Sequence, residues 1–148
     1  MPAISLTGPG IPATLPLVRR RQRESMAKIL VVDDELLLRV MLKDALEGAG
    51  HAVLLAENGR VAMDRAKADR PDLILMDIMM PGLDGFDTCK AMKADPALSG
   101  VPVVLISATI DPKGAVDRAR QVGAVTALPK PVPIDLLQQV LAQVLKPS

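Results

Sequence analysis

Five residues of this 148-residue chain could do chemistry together: Asp33, Asp34, Asp77, Ser107 and Lys130. Each follows a short apolar run. Lys28–Val32 (KILVV) precedes the two adjacent acids, and Asp72–Met76 (DLILM) precedes Asp77. Pro102–Ile106 (PVVLI) precedes Ser107, and Val125–Leu128 precedes Pro129 and Lys130. Three carboxylates at one place repel and hold protons unless a cation intervenes. An oxygen-rich site with water suits Mg²⁺. With the acids neutralised, Asp77 can attack a phosphoryl group. Lys130, a compact cation, and Ser107, a hydroxyl donor, can then hold the phosphoryl oxygens. Singly, a terminal Asp is a solvated turn residue, a Ser after a strand starts a loop, and Lys-Pro is common in loops. Their joint occurrence at successive strand ends favours a site.

That convergence requires particular elements. Helical spacing of Leu38, Met41, Leu42, Ala45, Leu46 and Ala49 predicts a helix over Glu35–Ala49, stopped by Gly48 and Gly50. His51–Ala56 reads as a second strand. Asn58 is placed to cap a helix that ends near Asp69. After the Pro81–Gly82 loop a helix runs through Phe86, Cys89, Ala91 and Met92. Asp111 is placed to cap another over Ala115–Val122, and Pro133 opens the last, Ile134–Leu145. Five strands alternate strictly with five helices. The fold class is therefore α/β, a doubly wound five-stranded parallel sheet covered on both faces. Ligands of such sheets sit beyond the carboxyl ends of the strands, where the five residues fall.

The first 25 residues differ. Pro2, Pro9, Pro12 and Pro16 interrupt them, no period is visible, and Arg19, Arg20, Arg21 and Arg23 give a net +3 against Glu24. A disordered basic N-terminal extension is expected over 1–25, and a single globular domain over 26–148 with no output domain. The extension is a poor secretory signal, because its basic cluster follows the apolar stretch. The rest of the chain is mildly acidic, net −2, with no reason to expect direct nucleic-acid binding. No apolar run reaches the length of a membrane helix, so no membrane insertion is expected. The single cysteine, Cys89, excludes an internal disulfide and suits a reducing, cytoplasmic location.

These motifs resemble the receiver domain of two-component response regulators. ILVVDDE (Ile29–Glu35) is similar to the family's first strand and acidic pair, and PDLILMDIMMPGLDGFD (Pro71–Asp87) to its acceptor segment. PVVLISA (Pro102–Ala108) is similar to the hydroxyl strand and GAVTALPKP (Gly123–Pro131) to the lysine strand. The resemblance covers Ala27 to about Leu145. It implies a flavodoxin-like (βα)5 fold with strand order 2-1-3-4-5. It implies that Asp77 accepts a phosphoryl group from a sensor histidine kinase or phosphotransfer protein. Asp34, Asp77 and the Met79 carbonyl would bind Mg²⁺, Asp33 would act through metal-bound water, and Ser107 and Lys130 would contact the phosphoryl group. Pro81, Gly82 and Gly85 fit the loop after the acceptor. The chain would be a monomer or weak dimer acting through contacts with a downstream protein.

Two positions depart from the family pattern. Ala127 stands where strand five usually carries an aromatic residue, and Val132 where Phe often follows Lys-Pro. The chain has no Tyr or Trp, and Phe86 is its one Phe. A ring turning inward behind the hydroxyl residue cannot operate in its usual form. Phosphorylation is expected to shift Thr109–Lys113 and the exposed side of helix four instead. Met79 and Thr109 hold the positions that tune phosphoryl lifetime in the family. A thioether is a weak acceptor that cannot orient water, so a long-lived acyl phosphate is expected. His51, Cys89 and the Met76, Met79 and Met80 group are expected to be structural, and Lys28, Lys43 and Lys67 to be solvated. Two other classes compete with the receiver. A haloacid-dehalogenase-like hydrolase would need an acid where Met79 stands. A scaffold that never takes phosphate would have lost one of the five polar positions.

Overall fold

The computed structural model describes residues 27–109 and 111–145. The expected disordered extension over 1–25 lies outside them. Five strands, β1 (Lys28–Val32), β2 (Ala52–Ala56), β3 (Leu73–Asp77), β4 (Val103–Ser107) and β5 (Thr126–Pro129), form one parallel sheet in the order β2-β1-β3-β4-β5. Between and after them run α1 (Leu36–Gly48), α2 (Gly59–Ala68), α3 (Gly85–Ala94), α4 (Pro112–Gln121) and α5 (Ile134–Val144). The flavodoxin-like (βα)5 expectation and its strand order are met.

Strand alternation divides the core into two layers, because successive side chains point to opposite faces. Leu30, Val32, Ile74, Met76, Val103 and Leu105 face α2, α3 and α4, meeting Ala62, Ala66, Phe86, Cys89, Met92 and Ala119. Ile29, Val31, Leu73, Leu75, Val104 and Ile106 face α1 and α5, meeting Leu42, Leu46, Leu137 and Leu141. All five residues of β3 and of β4 are buried, as a sheet covered on both sides requires.

Several helix starts follow their side chains. Asn58 accepts from the Val61 amide at 2.9 Å, Asp84 from Asp87 at 2.8 Å and Asp111 from Gly114 at 3.1 Å. Each satisfies a first-turn N–H that lacks a helical partner. Pro133 is the residue before α5 and not its first helical position.

The boundaries correct the sequence reading in a consistent direction. β3, β4 and β5 each begin one residue later than their apolar runs, and β5 also ends one later, at Pro129, while strands three and four end at Asp77 and Ser107 as expected. Met41, expected on the inner face of α1, is 57% exposed, because Leu42 and Leu46 carry that face. Ala91 is likewise exposed. Among the described residues no helix is long and apolar enough to cross a membrane.

Candidate functional site

Parallel register brings the acids together. Val32 pairs with Met76, so Asp33 and Asp77 emerge side by side from the adjacent ends of β1 and β3. Asp77 pairs with Ile106, one residue before Ser107, and Ser107 pairs with Pro129, one residue before Lys130. The Lys130 amide donates to the Ser107 carbonyl at 3.0 Å, carrying the sheet hydrogen bonding on to the lysine. All five candidate residues therefore lie at one edge of the sheet.

Their contacts are unequal. Asp33, Asp34 and Asp77 each offer a carboxylate oxygen within 4.8 Å of the others. Asp33 and Asp77 are buried and Asp34 is exposed. Lys130 Nζ donates to Asp77 Oδ2 at 3.0 Å and lies 3.5 Å from Asp33 Oδ2. The Asp77 Oδ1 atom accepts the Met79 amide at 3.2 Å, and Asp33 Oδ1 accepts the Glu35 amide at 2.8 Å. Asp33 Oδ2 is buried with no hydrogen bond. Ser107 Oγ accepts from the Thr109 amide at 3.2 Å, which ties its side chain to the loop after β4.

Burial pushes the Asp33 carboxyl up to about 6, and the neighbouring charge of Asp77 adds to this. The Glu35 amide and the Lys130 ammonium pull the other way without cancelling it. For Lys130, burial works against the charged form, but hydrogen bonds to Glu35 and Asp77 outweigh it and hold the ammonium above its usual range. A buried carboxylate oxygen without a hydrogen bond, beside two more carboxylates, is a donor set suited to a hard divalent cation. The residues fit Mg²⁺ on that ground.

Gly85 fixes the loop after Asp77. Its amide donates to the Ile78 carbonyl at 2.9 Å. A Cβ there would meet the Asp77 carbonyl oxygen at 2.4 Å and the Ile78 Cα at 2.7 Å. No larger residue lets α3 start so close to the end of β3. Gly82, with φ +76°, supplies the left-handed turn before it.

Two contacts had no sequence signal. Arg39 Nη1 donates to the Asp33 carbonyl at 2.6 Å, tying α1 to the acidic loop. Glu35 Oε1 lies 2.8 Å from Lys130 Nζ. After the ends of β3 and β4 a cavity of about 540 Å³ is lined by Met79, Phe86, Ser107, Thr109 and Arg118, among others, and the Arg118 guanidinium sits 4.3 Å above the Phe86 ring. A small void of about 10 Å³ adjoins Ser107, Thr109 and Ala127.

The remaining expectations divide. Met76 and Met80 are buried, but Met79 is 73% exposed and does not pack into the protein. His51 is structural, its Nδ1 accepting the Ala27 amide at 3.2 Å. Cys89 is fully buried in the core, and burial pushes its thiol up to about 11. Lys28, Lys43 and Lys67 form surface ion pairs with Asp69, Glu47 and Asp95.

Known proteins share this fold. Residues 29–142 match the response regulator receiver domain family. Protein PilH of Pseudomonas aeruginosa is 39% identical over 120 residues, covering 81% of this chain and 98% of that protein. Response regulator PleD of Caulobacter vibrioides is 42% identical over 106 residues, which are 72% of this chain but 23% of PleD. The structure of the chemotaxis response regulator CheY4 of Vibrio cholerae superposes with a TM-score of 0.74 at 33% identity, covering 80% of this chain and 98% of that one. The match over most of the chain, with the acidic cluster at the sheet edge, shows that it belongs to the response regulator receiver domain family.

Proposed function

We propose that Asp77 accepts a phosphoryl group in a Mg²⁺-dependent transfer from a histidine kinase or phosphotransfer protein, and that the phosphorylated chain signals through protein contacts. The observation that carries this reading is the setting of Asp77. It is buried at the end of the central strand, with Lys130 at 3.0 Å and the carboxylates of Asp33 and Asp34 beside it. The Asp77 carboxylate attacks phosphorus, an O–P bond forms, and the P–N bond of the donor phosphohistidine breaks. The leaving imidazole keeps the electron pair and takes a proton.

Asp34, Asp77 and the Met79 carbonyl would hold the Mg²⁺ ion, with Asp33 behind it through water. The ion's chemistry is to neutralise the acids so that an anionic group can approach. Lys130 holds the phosphoryl oxygens by charge, and Ser107 contributes its hydroxyl after turning from the Thr109 amide. The Met79 amide on Asp77 Oδ1 orients the acceptor carboxylate.

Leu36, Leu37, Val40 and Met41 form an exposed apolar face directly after the acidic loop, with Met79 and Leu83 also exposed on the loop after β3. An apolar rim next to a charged mouth fits a donor protein that presents its phosphohistidine from an apolar helical surface. With Ala127 in β5, the response is read through the loop after Ser107 and through α4. The chain acts on its own phosphoryl group alone, and we place it in the cytoplasm.

The test is incubation with acetyl phosphate and Mg²⁺, followed on a phosphate-affinity gel. A retarded band that vanishes with chelator supports the reading. No retarded band at any Mg²⁺ concentration contradicts it.

A further inference from the structure

Lys130 is shared among three carboxylates, and the closest is not one of the metal-site acids. Its Nζ lies 2.8 Å from Glu35 Oε1, 3.0 Å from Asp77 Oδ2 and 3.5 Å from Asp33 Oδ2. An ammonium has three donors; Lys130 gives one to Asp77 and faces Glu35 and Asp33 as ion pairs. These partners differ in freedom. Asp33 and Asp77 are held at strand ends, with side chains 0% and 2% exposed, while that of Glu35 is 61% exposed. Glu35 is also the N-cap residue of α1, yet its side chain makes no capping hydrogen bond. The carboxylate that could serve the helix end is turned across the site to the lysine.

We propose that Glu35 is a positioning residue that competes with the phosphoryl group for Lys130 and so sets how tightly the site holds it. The inference rests on Asp77 being the acceptor. A phosphoryl group on Asp77 brings anionic oxygens that need the donors of Lys130. One resting partner must yield. Glu35 is the one that regains water at little cost, because it is already largely solvated. Where it stays, its negative charge stands beside the incoming anion and repels it. Glu35 therefore favours the unphosphorylated state on both counts.

This differs from a structural role in the sign of its effect. If Glu35 only steadied Lys130, its loss would leave the lysine less ordered and weaken anion binding. As a competitor, its loss strengthens binding. The contact is on the solvent side, so salt screens it. Asp77 and Asp33, being buried, are screened much less.

The experiment is an equilibrium titration with fluoroberyllate, a phosphoryl stand-in, at saturating Mg²⁺. It is read by fluorine NMR, since the chain has no Trp to report by fluorescence. Glu35→Gln is expected to bind about two- to fivefold more tightly than the wild type at low salt, the range of a partly exposed ion pair. That gain should shrink when salt rises to about 0.5 M. Glu47→Gln, which changes net charge equally on the same helix, should leave binding unchanged. In a Lys130→Met background the Glu35→Gln gain should shrink to the part owed to charge repulsion alone. Equal or weaker binding by Glu35→Gln overturns the proposal, as does an equal gain from Glu47→Gln. A wild-type chain that does not bind fluoroberyllate overturns the acceptor reading and this inference together.

Discussion

Replacing Asp33 by Asn should stabilise the metal-free protein. Asp33 is completely buried, its Oδ2 has no hydrogen bond, and burial pushes its carboxyl from 3.8 to about 6. The folded state therefore keeps a proton that the unfolded chain has already lost between those two values. By linkage, unfolding free energy falls as pH rises through that window, and the penalty is complete above it. A shift of about two units is worth at most about 3 kcal/mol. An Asn side chain keeps the acceptor for the Glu35 amide but places an unsatisfied N–H₂ where Oδ2 was, which costs about 1 kcal/mol. The net gain is about 1–2 kcal/mol at pH 8, or roughly 3–10 °C in Tm for a domain of this size. Thermal melts with chelator at pH 8 and pH 4 read it directly. The gain should nearly vanish at pH 4, where Asp33 is protonated in the folded state and only partly ionised in the unfolded chain, so that little of the penalty remains. Added Mg²⁺ should stabilise the wild type more than the variant, since binding to the folded state alone raises stability. An Asp33→Asn protein no more stable than wild type at pH 8, or one whose gain persists at pH 4, would refute the reasoning.

Three further outcomes follow from the same geometry. Gly85→Ala places a Cβ 2.4 Å from the Asp77 carbonyl oxygen, so it should cost about 1–3 kcal/mol by overpacking and slow phosphorylation; unchanged melting and unchanged labelling would contradict the close approach. Burial lowers the His51 pKa below 6.5 and its neutral Nδ1 accepts the Ala27 amide, so its contribution is present above 6.5 and lost as pH falls through the folded value. The wild type should therefore lose stability relative to His51→Asn, which keeps an acceptor without titrating, between pH 7 and pH 5; parallel pH curves would count against it. The exposed Met79 thioether cannot orient an attacking water, so phosphoryl loss with Mg²⁺ present should take minutes or longer, and a half-time of seconds would exclude that role.

Much of the architecture was legible because apolar runs and breakers alternate so regularly from Lys28 onward. The strand ends at Asp77 and Ser107 were legible because each polar residue closes an apolar run. Their place inside the hydrogen-bonded ladder, which explains their burial, was not. Met41 fell on the inner face by spacing alone. The rotation of α1 follows from where Leu42 and Leu46 meet Val31 and Leu75, and a single segment does not record it. The five chemical residues could be found because each stands at or just past the end of a strand. Glu35 and Arg39 could not be placed, since their partners are set by packing of α1 and β5 across β1 and β3. Ala127 was readable as a missing ring. The cavity between Phe86, Ser107 and Arg118 belongs to the assembled loops and to no local pattern.

The central claim is that Asp77 is the phosphoryl acceptor, and intact-mass spectrometry after reaction with acetyl phosphate and Mg²⁺ tests it most directly. The wild type should gain the mass of one phosphoryl group, chelator should prevent the gain, and reductive trapping with borohydride should map it to Asp77. Asp77→Asn should gain nothing under the same conditions. A wild type that stays unmodified, or an Asp77→Asn protein labelled to the same extent, would contradict the account.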